Sequence, residues 1–111
     1  MENFKTANGV ELNLELISEK HRGVYGVYVI INNENKKCYV GQTNDLFVRH
    51  RHHISSLNGE YHNNPYLQKS WIKYGRDVFK FYVVETISDL SRLNEVELFY
   101  IKRFESRINT F

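Results

Sequence analysis

The chain contains 111 residues, of which 41% are hydrophobic and 14% aromatic, and its formal net charge is +2. This length fits one domain, and 6 glycines with 1 proline are too few for a disordered or fibrous protein. The single cysteine, Cys38, excludes an intramolecular disulfide and a cysteine-based zinc site, so packing is its expected role. Because the sequence has neither a long apolar run nor a signal-peptide pattern, we expect a soluble, cytoplasmic protein without a membrane partner.

Positive charge is concentrated in the middle of the chain. The first 19 residues are acidic and are not expected to contact phosphates. A net charge of +2 is compatible with a polyanionic partner but does not require one. The charged and titratable residues of the middle segment include Arg49, Arg51, Lys69, Lys73, Arg76 and Lys80, with His50, His52, His53 and His62 beside them.

Four segments have the patterns of β-strands. Apolar and polar residues alternate at residues 10–17, which is the period of a half-buried strand. Residues 25–31 and 37–40 are rich in β-branched and aromatic side chains and flank a polar turn at 32–36, so they predict an antiparallel hairpin. A further strand is predicted at residues 79–86.

Three helices are predicted from apolar periodicity and capping residues. Asn44 and Asp45 can cap a helix over residues 46–57, which ends at Asn58 and Gly59. A second helix starts near residue 64 and stops at residue 75, and a third covers residues 89–104. The side chains expected to be buried are Leu67, Trp71 and Tyr74 in the second helix, and Leu90, Leu93, Val96, Tyr100, Ile101 and Phe104 in the third.

The order of these elements indicates the fold class. A hairpin comes first, two helices follow it, and a strand and the last helix close the unit. This arrangement predicts an α+β fold in which an antiparallel sheet is flanked by helices. Fold class alone does not indicate a function.

Glu97 interrupts the apolar stripe of the last helix. A buried carboxylate is costly unless it is paired, protonated or bound to a metal. An ion pair with a lysine or arginine explains it without any function. A metal ligand is the alternative, because oxygen ligands of this type suit Mg²⁺, which often takes only one or two protein carboxylates.

Arg49 and His53 are spaced i, i+4 and therefore face the same way on the first helix, and His62 follows in the next loop. A solvated helix face is the simplest interpretation of these basic residues. Zinc fits poorly, because neither an H-E-x-x-H pattern nor a cysteine partner is present. A phosphate fits better, since arginine offers a fork of donors matched to phosphate oxygens.

Two tyrosines, Tyr28 and Tyr39, lie in the hairpin within the triplets Gly-Val-Tyr and Tyr-Val-Gly. Aromatic residues at such strand positions usually belong to the core. If the strands pair in register, alternation places both hydroxyl groups within reach of one site. The combination with Arg49, His53 and Glu97 is what favours a functional role.

This ordered series resembles the GIY-YIG nuclease family from residue 22 to the C-terminus. The signature corresponds to residues 26–28 and 39–41, with valine at both central positions, and residues 64–75 are similar to the second helix of phage homing endonucleases. The resemblance divides the chain into an N-terminal extension, residues 1–21, and a nuclease domain, residues 22–111. It implies a three-stranded antiparallel sheet flanked by helices.

The resemblance also implies a function: a DNA endonuclease that depends on Mg²⁺ or Mn²⁺ and hydrolyses phosphodiester bonds. Glu97 would hold the metal and Arg49 the phosphate. Tyr28 would activate the attacking water, which requires cationic surroundings to lower its pKa. His53 would orient a reacting group or donate a proton to it, and Tyr39 would hydrogen-bond the phosphate or the base. Tyr39 and His53 could also take over parts of the role of Tyr28.

Other residues are assigned to the site or to DNA by the same resemblance. His62 falls where several family members carry a functional histidine, and Arg51, Lys69 and Lys73 are expected to bind DNA. Many members also carry an asparagine after the last helix, for which Asn109 is the candidate here. The alternating residues of the extension predict an added strand at the sheet edge or a contact with a partner.

Two questions of function stay open at this point. A non-catalytic DNA-binding or protein-interaction module on the same scaffold is the alternative to an active nuclease. One site cuts one strand, so a double-strand break requires a second visit or a homodimer.

Overall fold

The computed structural model describes residues 2–5 and 11–104. It contains a β-sheet with helices on both of its faces. The strands are β1 (Glu2–Lys5), β2 (Glu11–Leu16), β3 (Gly26–Asn32), β4 (Cys38–Thr43) and β5 (Phe79–Thr86). The helices are α1 (Leu46–Asn58), α2 (Pro65–Tyr74) and α3 (Leu93–Arg103).

All strand pairs are antiparallel, and the strand order is β1-β2-β5-β3-β4. The α+β class is confirmed, but the sheet has five strands rather than three. The two additional strands come from the N-terminal extension, where β2 pairs with β5 and β1 pairs with β2. The added strand expected from the alternation at residues 10–17 is confirmed as β2, but the edge of the sheet is formed by β1 rather than by this strand.

Strand β3 lies inside the sheet, between β5 and β4, and is buried along its whole length. Strands that are covered on both faces read as continuous apolar runs, which is why this strand shows little alternation of apolar and polar residues. On one face Tyr28 and Ile30 pack against α1 and α2. On the other face Val29 and Ile31 pack in a second cluster, which includes Phe104 at the end of α3.

Local signals set the ends of the first two helices. The Asp45 side chain accepts a hydrogen bond from the backbone N–H of Val48 and caps α1. The side chain of Asn64 caps α2, whose first residue is Pro65, and Gly75 follows its last turn at φ 86°. These boundaries agree with those predicted from the sequence.

The last helix is shorter than predicted. Asp89 caps a separate 3₁₀ turn at residues 90–92, and the regular helix begins only at Leu93. As a consequence Leu90 is 51% exposed and does not belong to the apolar stripe. Val96 and Phe104 are buried as predicted, because α3 packs across the face of the sheet opposite α1.

Cys38 is buried in β4, as expected for a packing role. Burial raises the pKa of its thiol to about 12. No helix within residues 2–5 and 11–104 has the length and apolar character needed to cross a membrane.

Candidate active site

The two hairpin tyrosines share one face of the sheet. Tyr28 pairs with Gly41 and Ile30 pairs with Tyr39, so the two phenol rings lie diagonally across β3 and β4. Their centroids are 6.4 Å apart. The prediction that strand register would bring both tyrosines to one place is confirmed.

Gly41 is required by the ring of Tyr28. A Cβ atom built at this position would overlap the Tyr28 hydroxyl and lie 2.5 Å from its Cζ. At the other end of the pair, a Cβ on Gly26 would lie 2.5 Å from the carbonyl oxygen of Glu85 on β5. The first and last glycines of the two triplets are thus explained by close packing across three neighbouring strands.

A chain of hydrogen bonds runs from Tyr28 away from the sheet. The Tyr28 hydroxyl is 2.8 Å from His53 Nε2, and His53 Nδ1 is 2.8 Å from His62 Nε2. The backbone N–H of Asn64 donates to His62 Nδ1 at 3.0 Å. Gln68 fixes the loop that carries His62, because its side chain accepts from the His62 N–H and donates to the carbonyl of α1 residue Leu57.

The donor at the end of this chain sets the proton positions. A backbone N–H can only donate, so His62 Nδ1 accepts and neutral His62 carries its proton on Nε2. That proton is donated to His53 Nδ1, and neutral His53 therefore carries its own proton on Nε2. The oxygen of Tyr28 then accepts from His53, which leaves the Tyr28 O–H free to donate elsewhere.

The pKa values of the histidines agree with neutral rings. Burial, followed by the nearby His62 and Arg49, lowers the pKa of His53 to about 3. Burial also lowers the pKa of His62. His53 is only 7% exposed, so both of its ring nitrogens are committed to partners inside the protein.

The pKa of Tyr28 is raised far above its ordinary value, contrary to the expectation that cationic neighbours would lower it. Burial is the largest cause, and Tyr39 adds to it. Arg49 lowers the pKa and Glu97 raises it, but both effects are smaller than that of burial. The tyrosine is buried because α1 and α2 cover this face of the sheet, which the sequence pattern does not reveal.

Arg49 and Glu97 approach the phenol from different elements. Arg49 lies on α1, where its Nη1 donates to the Gln42 carbonyl at 3.4 Å. Glu97 lies on α3, on the opposite face of the sheet, and is coupled to Tyr28 through its charge. Helix α3 is held against edge strand β4 by a hydrogen bond from Gln42 Nε2 to Asn94 Oδ1 of 2.6 Å.

Glu97 is half-buried, and among residues 2–5 and 11–104 it forms neither an ion pair nor a hydrogen bond. The ion-pair interpretation of this carboxylate is therefore wrong for the described part of the chain. The same residues contain no cluster of three or more His, Cys, Asp or Glu side chains able to hold a metal. A single unpaired carboxylate fits a cation such as Mg²⁺, which keeps most of its waters and takes one or two protein ligands.

An open cleft of about 1080 Å³ adjoins these residues. Tyr39, Arg49, His53 and His62 line it, whereas Tyr28 and Glu97 are not among its lining residues. The remaining lining residues are His52, Ser55, Ser56, Tyr61, Asn63, Asn64, Pro65 and Tyr66.

The chain was compared with known proteins by sequence and by structure. A family model described as the GIY-YIG catalytic domain matches residues 24–110. The chain belongs to the GIY-YIG catalytic domain family. Among curated relatives, "Intron-associated endonuclease 1" of Enterobacteria phage T4 is 36% identical over 87 residues, which are 78% of this chain and 35% of the phage protein. "Probable intron-encoded endonuclease 1" of Neurospora crassa is 33% identical over 85 residues, which are 71% of this chain and 27% of that protein.

The fold is also similar to that of a solved homing-endonuclease structure. The solved structure of the catalytic domain of homing endonuclease I-TevI matches with a TM-score of 0.72 and 34% sequence identity, covering 78% of this chain and 95% of that domain. The GIY-YIG chain spans about a third or less of the length of the curated relatives it matches.

Three predicted DNA contacts lie away from the GIY-YIG tyrosines. Lys69 and Lys73 project from α2 into a separate groove of about 220 Å³. Arg51 is exposed on α1, with its guanidinium 5.8 Å from the ring centre of Phe47, and lines neither the cleft nor the groove. Asn109, the candidate for the asparagine that follows the last helix, lies outside the described residues.

Sequence reasoning missed the residues that complete the cleft. The Asn64 backbone and the Gln68 side chain orient His62, and neither carries a charge or a motif that could have marked it. Tyr61 and Tyr66 stand on the cleft rim. The signal available for these two was the interleaving of aromatic and polar residues between α1 and α2.

Proposed function

We propose that this GIY-YIG domain is a metal-dependent DNA endonuclease that hydrolyses phosphodiester bonds. The proposal is supported by family membership and by the two relatives, which are named as intron endonucleases. The observation that carries it is the hydrogen-bonded chain of Tyr28, His53 and His62, with Arg49 of α1 beside the same phenol. No packing requirement explains why two polar side chains of α1, His53 and Arg49, meet at one buried phenol.

Arg49 is positioned to bind the scissile phosphate. Its guanidinium lines the cleft beside Tyr39 and lies close enough to Tyr28 to affect the phenol. A fixed cation at this place offsets the negative charge that builds up on the phosphate in the transition state. Tyr39 lines the same cleft and offers its hydroxyl to a phosphate oxygen.

Tyr28 acts on the attacking water as a relay in this proposal. Its raised pKa disfavours a free phenolate, but a phenol can accept the water proton while it donates its own proton to a phosphate oxygen. The Tyr28 oxygen accepts from the N–H of His53 and also from the Arg49 side chain, so the water takes the place of Arg49 at this oxygen when Arg49 binds the phosphate. His53 thus orients Tyr28 and stabilises negative charge on it, and does not itself take a proton.

Glu97 would hold a divalent cation, Mg²⁺ or Mn²⁺, whose contribution is Lewis-acid stabilisation of the charge on the phosphate and on the leaving oxygen. The carboxylate is half-buried and, within the described chain, unpaired. Its negative charge raises the pKa of Tyr28, so neutralising that charge would lower this pKa and make it easier for the phenol to donate its own proton.

Cleavage of supercoiled plasmid tests this proposal. Purified protein with Mg²⁺ is expected to nick the plasmid, and EDTA is expected to stop the reaction. Glu97→Gln should abolish cleavage and leave the circular dichroism spectrum unchanged. Glu95→Gln, an exposed carboxylate two residues earlier on α3, is the matched control and should remain active. Equal activity of Glu97→Gln and the wild type would refute the role of Glu97.

The raised pKa of Tyr28 favours one alternative, a module that binds DNA without cutting it. Binding that persists in Mg²⁺ and in Mn²⁺ with no nicked product at any time would support this alternative. The time course also tests a homodimer, because a dimer converts supercoiled plasmid directly to the linear form, whereas a monomer accumulates nicked circles first.

A further inference from the structure

The cleft continues past the proposed catalytic residues to two exposed aromatic side chains. Tyr61 is 65% exposed and Tyr66 is 68% exposed, and both line the cleft together with Arg49 and His62. Single exposed aromatic residues are common on protein surfaces. Here two of them border one cleft, and the proposed mechanism uses neither.

The backbone holds Tyr61 in place although its side chain is exposed. Its ring packs on Gly59, where a Cβ atom would lie 2.7 Å from the Tyr61 Cδ1. Its hydroxyl is 3.4 Å from Ser55 Oγ. The preceding residue, Glu60, has φ of 62°, a conformation that is unfavourable for residues other than glycine. This left-handed residue follows the C-terminus of α1 and turns the chain toward Tyr61.

Tyr66 separates the cleft from the second groove and lines both. Lys37, Lys69 and Lys73 line that groove together with polar and aromatic residues, and none of its lining residues is acidic. Within residues 2–5 and 11–104 these three lysines form no ion pair. The groove is therefore positively charged and open to an anion.

We propose that the cleaved DNA strand runs from the cleft across Tyr66 into the lysine groove, with an unpaired base stacked on Tyr66 and the following phosphates at Lys69 and Lys73. This inference rests on the proposed function, because the scissile phosphate at Arg49 fixes where the strand enters. Along this path a cationic side chain is followed by an aromatic ring and then by further cationic side chains. This order matches a single strand, in which phosphates and bases alternate.

The stacking contact limits the class of substrate. A base inside a duplex is stacked on both faces by its neighbours, so a protein side chain can reach its face only after the base has left the stack. The domain is therefore expected to prefer DNA with unpaired nucleotides beside the scissile phosphate over a fully paired duplex of the same sequence.

Fluorescence anisotropy in EDTA measures this preference without cleavage. Wild-type protein is titrated into a labelled duplex and into the same sequence with a short mismatched bubble, and gels confirm that both oligonucleotides stay intact. The bubble is expected to bind about tenfold more tightly. Tyr66→Ala should remove the difference, and Tyr66→Phe should retain it because the ring face remains. Equal binding of bubble and duplex, or an unchanged preference in Tyr66→Ala, overturns the proposal.

Salt dependence separates the two kinds of contact. Lys69→Ala and Lys73→Ala should each reduce the slope of log K against log salt by about 0.7 to 0.9, because each removes one phosphate contact. Tyr66→Ala should leave the slope unchanged. Lys5→Ala is the control, because this lysine lies on β1 at the sheet edge farthest from β4. Unchanged slopes in both lysine variants would refute the path through the groove.

The outcomes distinguish this inference from the proposed function. If plasmid cleavage is observed but bubble and duplex bind equally, the nuclease assignment stands and the strand path is wrong. If neither plasmid is cut nor bubble preferred, both are wrong.

Discussion

Acid is expected to destabilise the fold through His53. A free histidine has a pKa of 6.5, and burial lowers that of His53 to about 3. Between these two values the unfolded chain binds a proton that the folded protein excludes. The free energy of unfolding is therefore at its maximum above the unfolded pKa and falls as the pH drops from 6.5 toward 3. The slope reaches about 1.4 kcal/mol per pH unit.

The magnitude over an accessible range follows from the two pKa values. Between pH 7 and pH 5, His53 alone should reduce the free energy of unfolding by about 2 kcal/mol. The side chain is 7% exposed, so solvent screening does not weaken this effect appreciably. The loss arises because burial disfavours the charged ring, and because a proton added at His53 Nδ1 would break the hydrogen bond that this atom accepts from His62.

Urea denaturation followed by circular dichroism at pH 7, 6 and 5 measures this effect. His53→Gln should be less stable than the wild type at pH 7, because it disrupts a buried network, yet it should lose about 2 kcal/mol less on acidification. His50 and His62, whose pKa values are also lowered, remain in both proteins, so the difference isolates His53.

The result that would refute this reasoning is an equal loss of unfolding free energy in the wild type and in His53→Gln. That outcome would mean that the folded protein binds a proton at His53 as readily as the unfolded chain does. The neutral ring on which the tautomer assignment depends would then be wrong as well.

Three further predictions follow from the same geometry. Gly41→Ala should destabilise the fold by about 1–3 kcal/mol in urea and abolish plasmid cleavage, because its Cβ displaces the Tyr28 ring; a variant with wild-type stability would contradict the close packing. Nitrogen-15 NMR of the imidazole rings should show His53 and His62 protonated on Nε2 near neutral pH. A neutral His53 with its proton on Nδ1 would mean that the hydrogen bonds from His62 to Tyr28 run in the opposite direction. Asp45→Ala should cost about 1 kcal/mol by removing the cap of α1, and an unchanged urea midpoint would show that the cap contributes nothing.

The sequence by itself determined the elements and much of the site. Alternation and helical periodicity are local properties of the chain, so they located four strands and three helices with nearly correct ends, except at the start of the last helix. The i, i+4 spacing placed Arg49 and His53 on one face of α1, because a helix repeats every 3.6 residues. The pairing of the two triplets brought Tyr28 and Tyr39 together, because strand register fixes which side chains share a face.

Only the tertiary structure decided the electrostatics and the outer parts of the site. The pKa of Tyr28 rises because desolvation sums over all atoms packed around the phenol, and those atoms come from α1 and α2 rather than from neighbouring residues in the sequence. The proton positions depend on one backbone N–H, that of Asn64, whose direction is set by a turn. Strand β1 and the cleft between α1 and α2 likewise depend on contacts between distant segments, which a local pattern does not encode.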